Sequence, residues 1–268
     1  MNDNTGEPGA AAILGKLSVP SIATLPEARA RSARGGLRLV EISVEVEVAT
    51  PIFGGAPQTR QIDDLDVVRV PALRGHLRFW WRALCAHEFD DAAKLFAEES
   101  KLWGRAATDE GGRSAVSVSV EVVGVGKPDS TPIRLYGAAA TPGGYALWPA
   151  KDQPEQRDRA YVPTAPRRTP ATRFRLSLVG PKSLEGELRN TLRAWLLFGG
   201  YGSRVRRGLG SLTVTAQDAR IWLPLEPTRS ALNDLFGRDV LAPASDPPND
   251  TPRLSGAALQ VGLVGQNA

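Results

Sequence analysis

Residues 39–48 read Leu-Val-Glu-Ile-Ser-Val-Glu-Val-Glu-Val, and this alternation constrains the fold more than any other feature of the chain. Leu39, Ile42, Val44, Val46 and Val48 fall mostly on one side, and Glu41, Glu45 and Glu47 on the other. Successive side chains of an extended chain point to opposite faces, so the segment reads as a half-buried strand. Thr50-Pro51 ends it, because proline cannot donate to a ladder.

Beyond this strand the chain alternates between the helical and the extended period. In LRGHLRFWWRALCAHEF, Leu73, Leu77, Trp80, Trp81 and Leu84 recur at helical spacing, and Arg74, Arg78 and Arg82 form a stripe beside them. A second helix, DDAAKLFAEESKLW, is capped by Asp90 or Asp91 and stopped by Gly104. Beyond the EGGRS linker, AVSVSVEVVGV is a second strand and TRFRLSLVG a third. Ser183 is expected to cap the helix SLEGELRNTLRAWLLF, which ends at Gly199-Gly200, and LGSLTVTAQ supplies a fourth strand. Strand, helix, strand, strand, helix, strand is the β-α-β-β-α-β order of an α+β domain of ferredoxin-like or RRM-like type. Residues 126–170, dense in Pro and Gly, form a long insertion between the second and third core strands, with a hairpin expected around IRLYGAAATPGGYALWP. The expected organisation is a flexible N-terminal arm over 1–36, an RRM-like domain over 37–222, and a C-terminal extension over 223–268. That extension carries a short helix near SALNDLFG and a flexible stretch after it.

Charge narrows the function by its distribution rather than its total. The net charge of +4 is only mildly basic. Residues 67–87, with Arg69, Arg74, Arg78 and Arg82, contain no acid, and neither do residues 188–217, with Arg189, Arg193, Arg204, Arg206 and Arg207. Two such segments in one domain read as an electrostatic footprint for phosphate. The single cysteine, Cys85, excludes an internal disulfide and a cysteine-based zinc cluster. With no apolar run of membrane-spanning length and no signal-peptide pattern, a cytoplasmic protein without membrane contact is expected.

GGYGSRVRRGLGS, residues 199–211, is the most informative segment. Its glycines, Gly200, Gly202 and Gly208 among them, let a backbone approach phosphate closely. Arg204, Arg206 and Arg207, with Ser203, add donors that match phosphate geometry, and Tyr201 is placed to stack on a base. The loop lacks the Lys-Ser/Thr of a P-loop and follows a helix, against a dinucleotide fingerprint. The competing reading is an elaborate helix-to-strand turn with solvated arginines. Asp63, Asp64 and Asp66 form the one tight acidic cluster in a candidate site, able in principle to hold a divalent cation or position a base. A solvated acidic loop explains them as well. His76 and His87, the only histidines, lack assignable catalytic partners, and Cys85 reads as packing.

Together these pieces resemble a known family. Thr50-Pro51, Phe53-Gly54-Gly55, Val70-Pro71-Ala72-Leu73-Arg74-Gly75, Leu102-Trp103-Gly104 and the 199–211 loop are similar to the motifs of the repeat-associated mysterious protein (RAMP) superfamily of CRISPR systems. Leu77-Arg78-Phe79-Trp80-Trp81-Arg82-Ala83 resembles, more specifically, the family of the first subunit of the type III-B Cmr RNA-silencing complex. The resemblance covers about residues 37–216. It implies an RRM-like RAMP domain and a non-catalytic RNA-binding role without cofactor or metal. It also implies a place at the end of the complex that holds the 3′ side of the guide RNA, with the guide, the target RNA and neighbouring RAMP subunits as partners. Many relatives carry a second RRM-like half, for which the chain after the glycine loop is short, so a compact single-module version is expected. The Asp63/Asp64/Asp66 loop sits where the backbone subunits of such complexes carry a catalytic aspartate, which leaves metal-dependent cleavage of target RNA as the alternative. A guide-processing endonuclease using His76 or His87 is a third reading.

Overall fold

The computed structural model describes residues 38–105, 112–243 and 251–259. The arm expected over 1–36 lies outside the described residues, as do 244–250 and 260–268 of the expected extension. In chain order the elements are β1 (Leu39–Val48), β2 (Ile52–Phe53), α1 (Val70–Cys85), α2 (Ala92–Trp103), β3 (Ser117–Gly124), β4 (Pro128–Asp129) and α3 (Gly144–Leu147). They continue with β5 (Arg167–Arg168), β6 (Thr172–Pro181), α4 (Glu185–Phe198), β7 (Leu212–Val214), α5 (Ala219–Trp222) and α6 (Arg229–Phe236).

β1 and β6 pair antiparallel along their whole length, from Leu39 opposite Pro181 to Val48 opposite Thr172. β3 adds outside β6 and β7 outside β1, giving an antiparallel sheet in the order β3-β6-β1-β7. One register decides both faces, because a one-residue slip would exchange them. Ile42, Val44, Val46 and Val48 of β1 and Phe174, Leu176 and Leu178 of β6 are buried under α1 and α4. Those helices contribute Leu73, Leu77, Trp81 and Leu84, and Leu188, Leu192, Trp195 and Leu196. Truncating any of these leucines to Ala costs about 2–5 kcal/mol in a packed interior. Trp81 rather than Trp80 is the fully buried member of the tryptophan pair, and its indole N–H donates to Glu187.

Local signals hold with small shifts. Asp91 caps α2 through its carboxylate and the Lys94 N–H, at 2.7 Å, and Gly104 ends it. Ser183 does not cap α4. It sits in a 3-10 turn over Lys182–Leu184 that precedes the helix, and Leu184 holds the cap position without a side-chain bond.

Residues between β3 and β6 join β2 and Leu209 in a second, smaller sheet and apolar cluster. β2, β5 and β4 form a short antiparallel sheet, and Ile133, Leu147, Ala150, Ala165 and Leu209 make a separate apolar cluster against Phe53. The expected hairpin around 133–149 is instead a turn leading into α3. A narrower hairpin closes further on, with Gln153 paired to Val162 and Gln156 to Arg159. The tail expected to be flexible packs back where it is described. Val240 and Leu241 are buried, and the Leu254 N–H donates to the Ala83 carbonyl at 2.8 Å. No helix among the described residues is long and apolar enough to cross a membrane.

Candidate nucleic-acid interface

The glycine loop is built onto the end of β1 rather than standing free. The Ser203 N–H donates to the Phe53 carbonyl at 2.8 Å and the Gly210 N–H to the Pro51 carbonyl at 3.0 Å. Thr50 Oγ1 donates to the Gly208 carbonyl at 2.7 Å and accepts from the Ser211 N–H at 2.8 Å. The Thr-Pro turn and the glycine loop, far apart in sequence, are therefore one structure. Within it, the Tyr201 N–H donates to the Gly210 carbonyl, and a Cβ on Gly200 would stand 2.9 Å from that same oxygen. Several of the glycines thus serve close packing of one backbone strand on another.

Only a short arc of the loop faces outward. Ser203, Arg204, Arg206, Arg207 and Gly208 are exposed, the arginines carried on or beside a single 3-10 turn over Val205–Arg207. Arg204 holds a left-handed backbone at φ 62°, a conformation that costs a side-chain-bearing residue roughly 1–2 kcal/mol and is retained where neighbours impose it. Neither Arg204 nor Arg206 forms an ion pair among the described residues. Arg207 donates to the Tyr145 hydroxyl at 3.3 Å.

Tyr201 is not available for base stacking. It is buried, its hydroxyl accepts from the Arg69 N–H at 2.8 Å, and its ring packs on Phe174 and His76. Its alternating neighbours explain this, since Gly200 and Gly202 lie against Val205 and Ile52 and leave the ring only the core to fill.

The arginine stripe of α1 also differs from expectation. Arg78 Nε pairs with Glu99 of α2 at 2.6 Å, Arg82 reaches the same carboxylate at 3.5 Å, and Arg74 donates to the Trp103 carbonyl at 3.3 Å. Glu99 is 1% exposed, and a carboxylate removed from water to that extent needs close cationic partners. The stripe therefore faces α2, and the structure does not bring it together with the glycine-loop arginines.

Each aspartate of the acidic loop is engaged as well. Asp63 accepts from the Leu65 and Asp66 N–H groups, both at 2.9 Å, and pairs with Arg69. Asp66 lies 3.7 Å from Arg69, and Asp64 pairs with Arg168 at 2.6 Å. No group of three His, Cys, Asp or Glu side chains is arranged to hold a metal ion among the described residues. The N–H donors of Asp66 and Leu65, together with Arg69, lower the Asp63 pKa from 3.8 to about 2. A depressed folded pKa contributes stability that is present above the unfolded value and lost as pH falls from about 4 through about 2. Asp63→Asn is accordingly expected to lower the thermal midpoint at neutral pH and to flatten its fall in that acid window. Parallel midpoint curves for the two proteins would refute the assignment.

His76 sits half-buried between Trp195 and Tyr201, and burial lowers its pKa, so it stays neutral near pH 7. Burial and the nearby Glu88 and Glu187 push the Cys85 thiol up to about 12, which leaves it unreactive packing. His87 lies 3.8 Å from Glu88, and its Nδ1 has no hydrogen-bond partner among the described residues.

Three arginines missed in the sequence organise the site. Arg60 donates to the carbonyls of Pro149, Lys151 and Pro163 at 2.7–2.8 Å. Arg168, 4% exposed, donates to the Asp63 and Gly126 carbonyls, and Arg167, equally buried, pairs with Asp129 at 2.6 Å. The one available signal was Arg-Arg in a segment that alternates into the third core strand.

The open face of the large sheet offers little to RNA. Glu121 and Glu45 flank Arg175 at 2.7 and 3.7 Å, Ser177 bonds Ser43, and the outward strand residues include no aromatic ring.

Comparison with known proteins agrees with the motif reading. The model of the RAMP superfamily matches residues 45–213. The chain is 34% identical over 161 residues to the CRISPR system Cmr subunit Cmr1-1 of Pyrococcus furiosus, covering 58% of this chain and 42% of that protein. Among solved structures it is similar to apo Cmr1 from Pyrococcus furiosus, with 24% identity, a TM-score of 0.42, and coverage of 74% of this chain and 52% of that one. It is also similar to a chain of the type III-B Cmr-beta complex bound to cognate target RNA, with 12% identity, a TM-score of 0.44, and coverage of 74% and 62%. This chain therefore spans less than half the length of its curated relative. The matched region runs from β1 through the whole glycine loop and into β7, and over it the chain belongs to the RAMP superfamily.

Proposed function

We propose that this protein is a non-catalytic, RNA-binding RAMP subunit of a type III CRISPR effector ribonucleoprotein. In this reading it contacts the 3′ side of the guide RNA, the target RNA and neighbouring RAMP subunits. The observation that carries the reading is the arc Ser203–Gly208, where Arg204 and Arg206 stand exposed and without acidic partners among the described residues, on a loop locked to β1 and β2. Such a group positions RNA through its phosphates without reading its sequence. The antiparallel order β3-β6-β1-β7, with helices on one face, supports a ferredoxin-like, RRM-like core that binds away from the sheet surface. Engagement of all three aspartates by arginines favours a binding role over metal-dependent cleavage.

The test is affinity purification of the tagged protein from its native host, with sequencing of bound RNA and mass spectrometry of bound proteins. Short CRISPR guides together with other RAMP subunits are expected. Recovery of neither would overturn the proposal.

A further inference from the structure

The turn that begins at α3 exposes two large aromatic rings on a support that is otherwise locked in place. Leu147 and Ala150 point inward and are buried, whereas Tyr145 is 70% and Trp148 46% exposed. Residues three apart on a helical turn project to the same side, so both rings belong to one outward face of this turn. Arg60 holds the turn from beneath by donating to the carbonyls of Pro149, Ala150 and Lys151. Leu209 of the glycine loop packs into the same apolar cluster as Leu147. Fixed, solvent-facing aromatic rings on a pinned backbone are what a ligand-binding platform requires, because little ordering remains to oppose binding.

The surroundings say which ligand. Each ring has a cation beside it, with the Arg207 guanidinium 5.5 Å from the Tyr145 ring and Lys151 Nζ 4.7 Å from that of Trp148. Arg207 belongs to the phosphate-facing loop, so basic and aromatic surfaces are continuous there. Beside Trp148 lies an open cleft of about 440 Å³, with Lys151, Gln153, Gln156 and Arg159 among its walls. Its size is that of a small-molecule site, and amide and guanidinium groups there could bond the edges of a base. Alternating cations and flat rings suit a single strand, whose bases are free to stack, and not a duplex, whose bases are already stacked.

We infer that Tyr145 and Trp148 form a stacking platform for unpaired bases of a single-stranded RNA whose neighbouring phosphates lie on the glycine-loop arginines. The inference rests on the RNA-binding reading above and adds to it the part played by the insertion.

Fluorescence anisotropy of the full-length protein with fluorescein-labelled oligoadenosine tests it, comparing wild type, Tyr145→Ala/Trp148→Ala, Tyr145→Phe/Trp148→Phe and Arg204→Ala/Arg206→Ala/Arg207→Ala. Each lost ring is expected to weaken single-strand binding about fivefold to a hundredfold, with the salt dependence unchanged. The phenylalanine variant keeps the stacking surface and should stay within about threefold of wild type. Duplex RNA should bind wild type and both aromatic variants alike. If the alanine variant, with an unfolding midpoint matching wild type, binds oligoadenosine normally while the arginine variant does not, the platform is refuted and the RNA reading stands. Normal RNA affinity with loss of co-purifying subunits would make the turn a protein-docking face and refute the inference too. Absence of RNA binding by wild type would remove the underlying reading itself.

Discussion

Replacing Arg204, Arg206 and Arg207 together with alanine is expected to lower affinity for single-stranded RNA steeply at low salt and hardly at all near molar salt. The three side chains are exposed on one short turn, and none of them has an ion pair among the described residues, so their charge is available to phosphates. Each neutralised phosphate of a single strand releases condensed counterions and adds about 0.7 to the slope of log affinity against log salt. Removing three such arginines should therefore flatten the slope by about 2 and weaken binding roughly a hundredfold at ~0.1 M relative to ~1 M. The same substitutions should leave folding nearly unchanged, because the turn is held by the Thr50 hydroxyl and by backbone N–H bonds to the Pro51 and Phe53 carbonyls. Replacing Arg78 and Arg82 should do the reverse. It would leave Glu99 buried without partners and reduce stability, with little effect on the salt slope. An unchanged slope in the triple variant would remove the glycine loop from the RNA interface.

The two sets of arginines differ in a way that no local reading of the sequence could reveal. Residues 67–87 and 188–217 are equally free of acids along the chain, yet their arginines meet different fates. Glu99 reaches Arg78 and Arg82 from the neighbouring helix α2, and Glu185 reaches Arg189 from just outside the acid-free window. A charge run is blind to Glu99, because that pairing is decided by which helices pack, whereas Glu185 and Arg189 are an i,i+4 pair within α4 that a window stopping at residue 188 cuts off. The strands and core helices were readable for the opposite reason, since period-2 and period-3.6 patterns directly record the buried face. Tyr201 was misassigned because a tyrosine between glycines looks like an exposed loop residue, and only the docking of the loop on Ile52 and Phe53 turns it inward. The insertion was illegible in detail. Its fold depends on Arg60, Arg167 and Arg168 donating to backbone carbonyls that no periodicity marks.

Gly210→Ala is expected to be the most destabilising single substitution in the loop, and Gly208→Ala, two residues away, to cost only its backbone preference of about 1 kcal/mol. Both glycines have left-handed backbones, with φ of 62° at Gly210 and 81° at Gly208, so conformational preference alone predicts similar costs of about 1 kcal/mol. Their surroundings differ completely. A Cβ on Gly210 would overlap the Tyr201 carbonyl oxygen, whereas one on Gly208 meets nothing within 4 Å. The overlap cannot be relieved by a side-chain rotation, because the obstructing atom is backbone. Relief requires the two strands of the loop to separate, which breaks the Tyr201 N–H bond to the Gly210 carbonyl and the Gly210 N–H bond to the Pro51 carbonyl. Two backbone bonds at about 1 kcal/mol each, added to the backbone preference and residual strain, give about 3–5 kcal/mol. Urea unfolding should therefore show a large drop in midpoint for Gly210→Ala and a small one for Gly208→Ala. RNA affinity should follow the same order, because the bonds broken are those that hold Arg204 and Arg206 on the surface. Equal midpoints for the two variants would mean that the loop is not packed on β1 and β2 in this way, and that its glycines serve the approach of RNA alone.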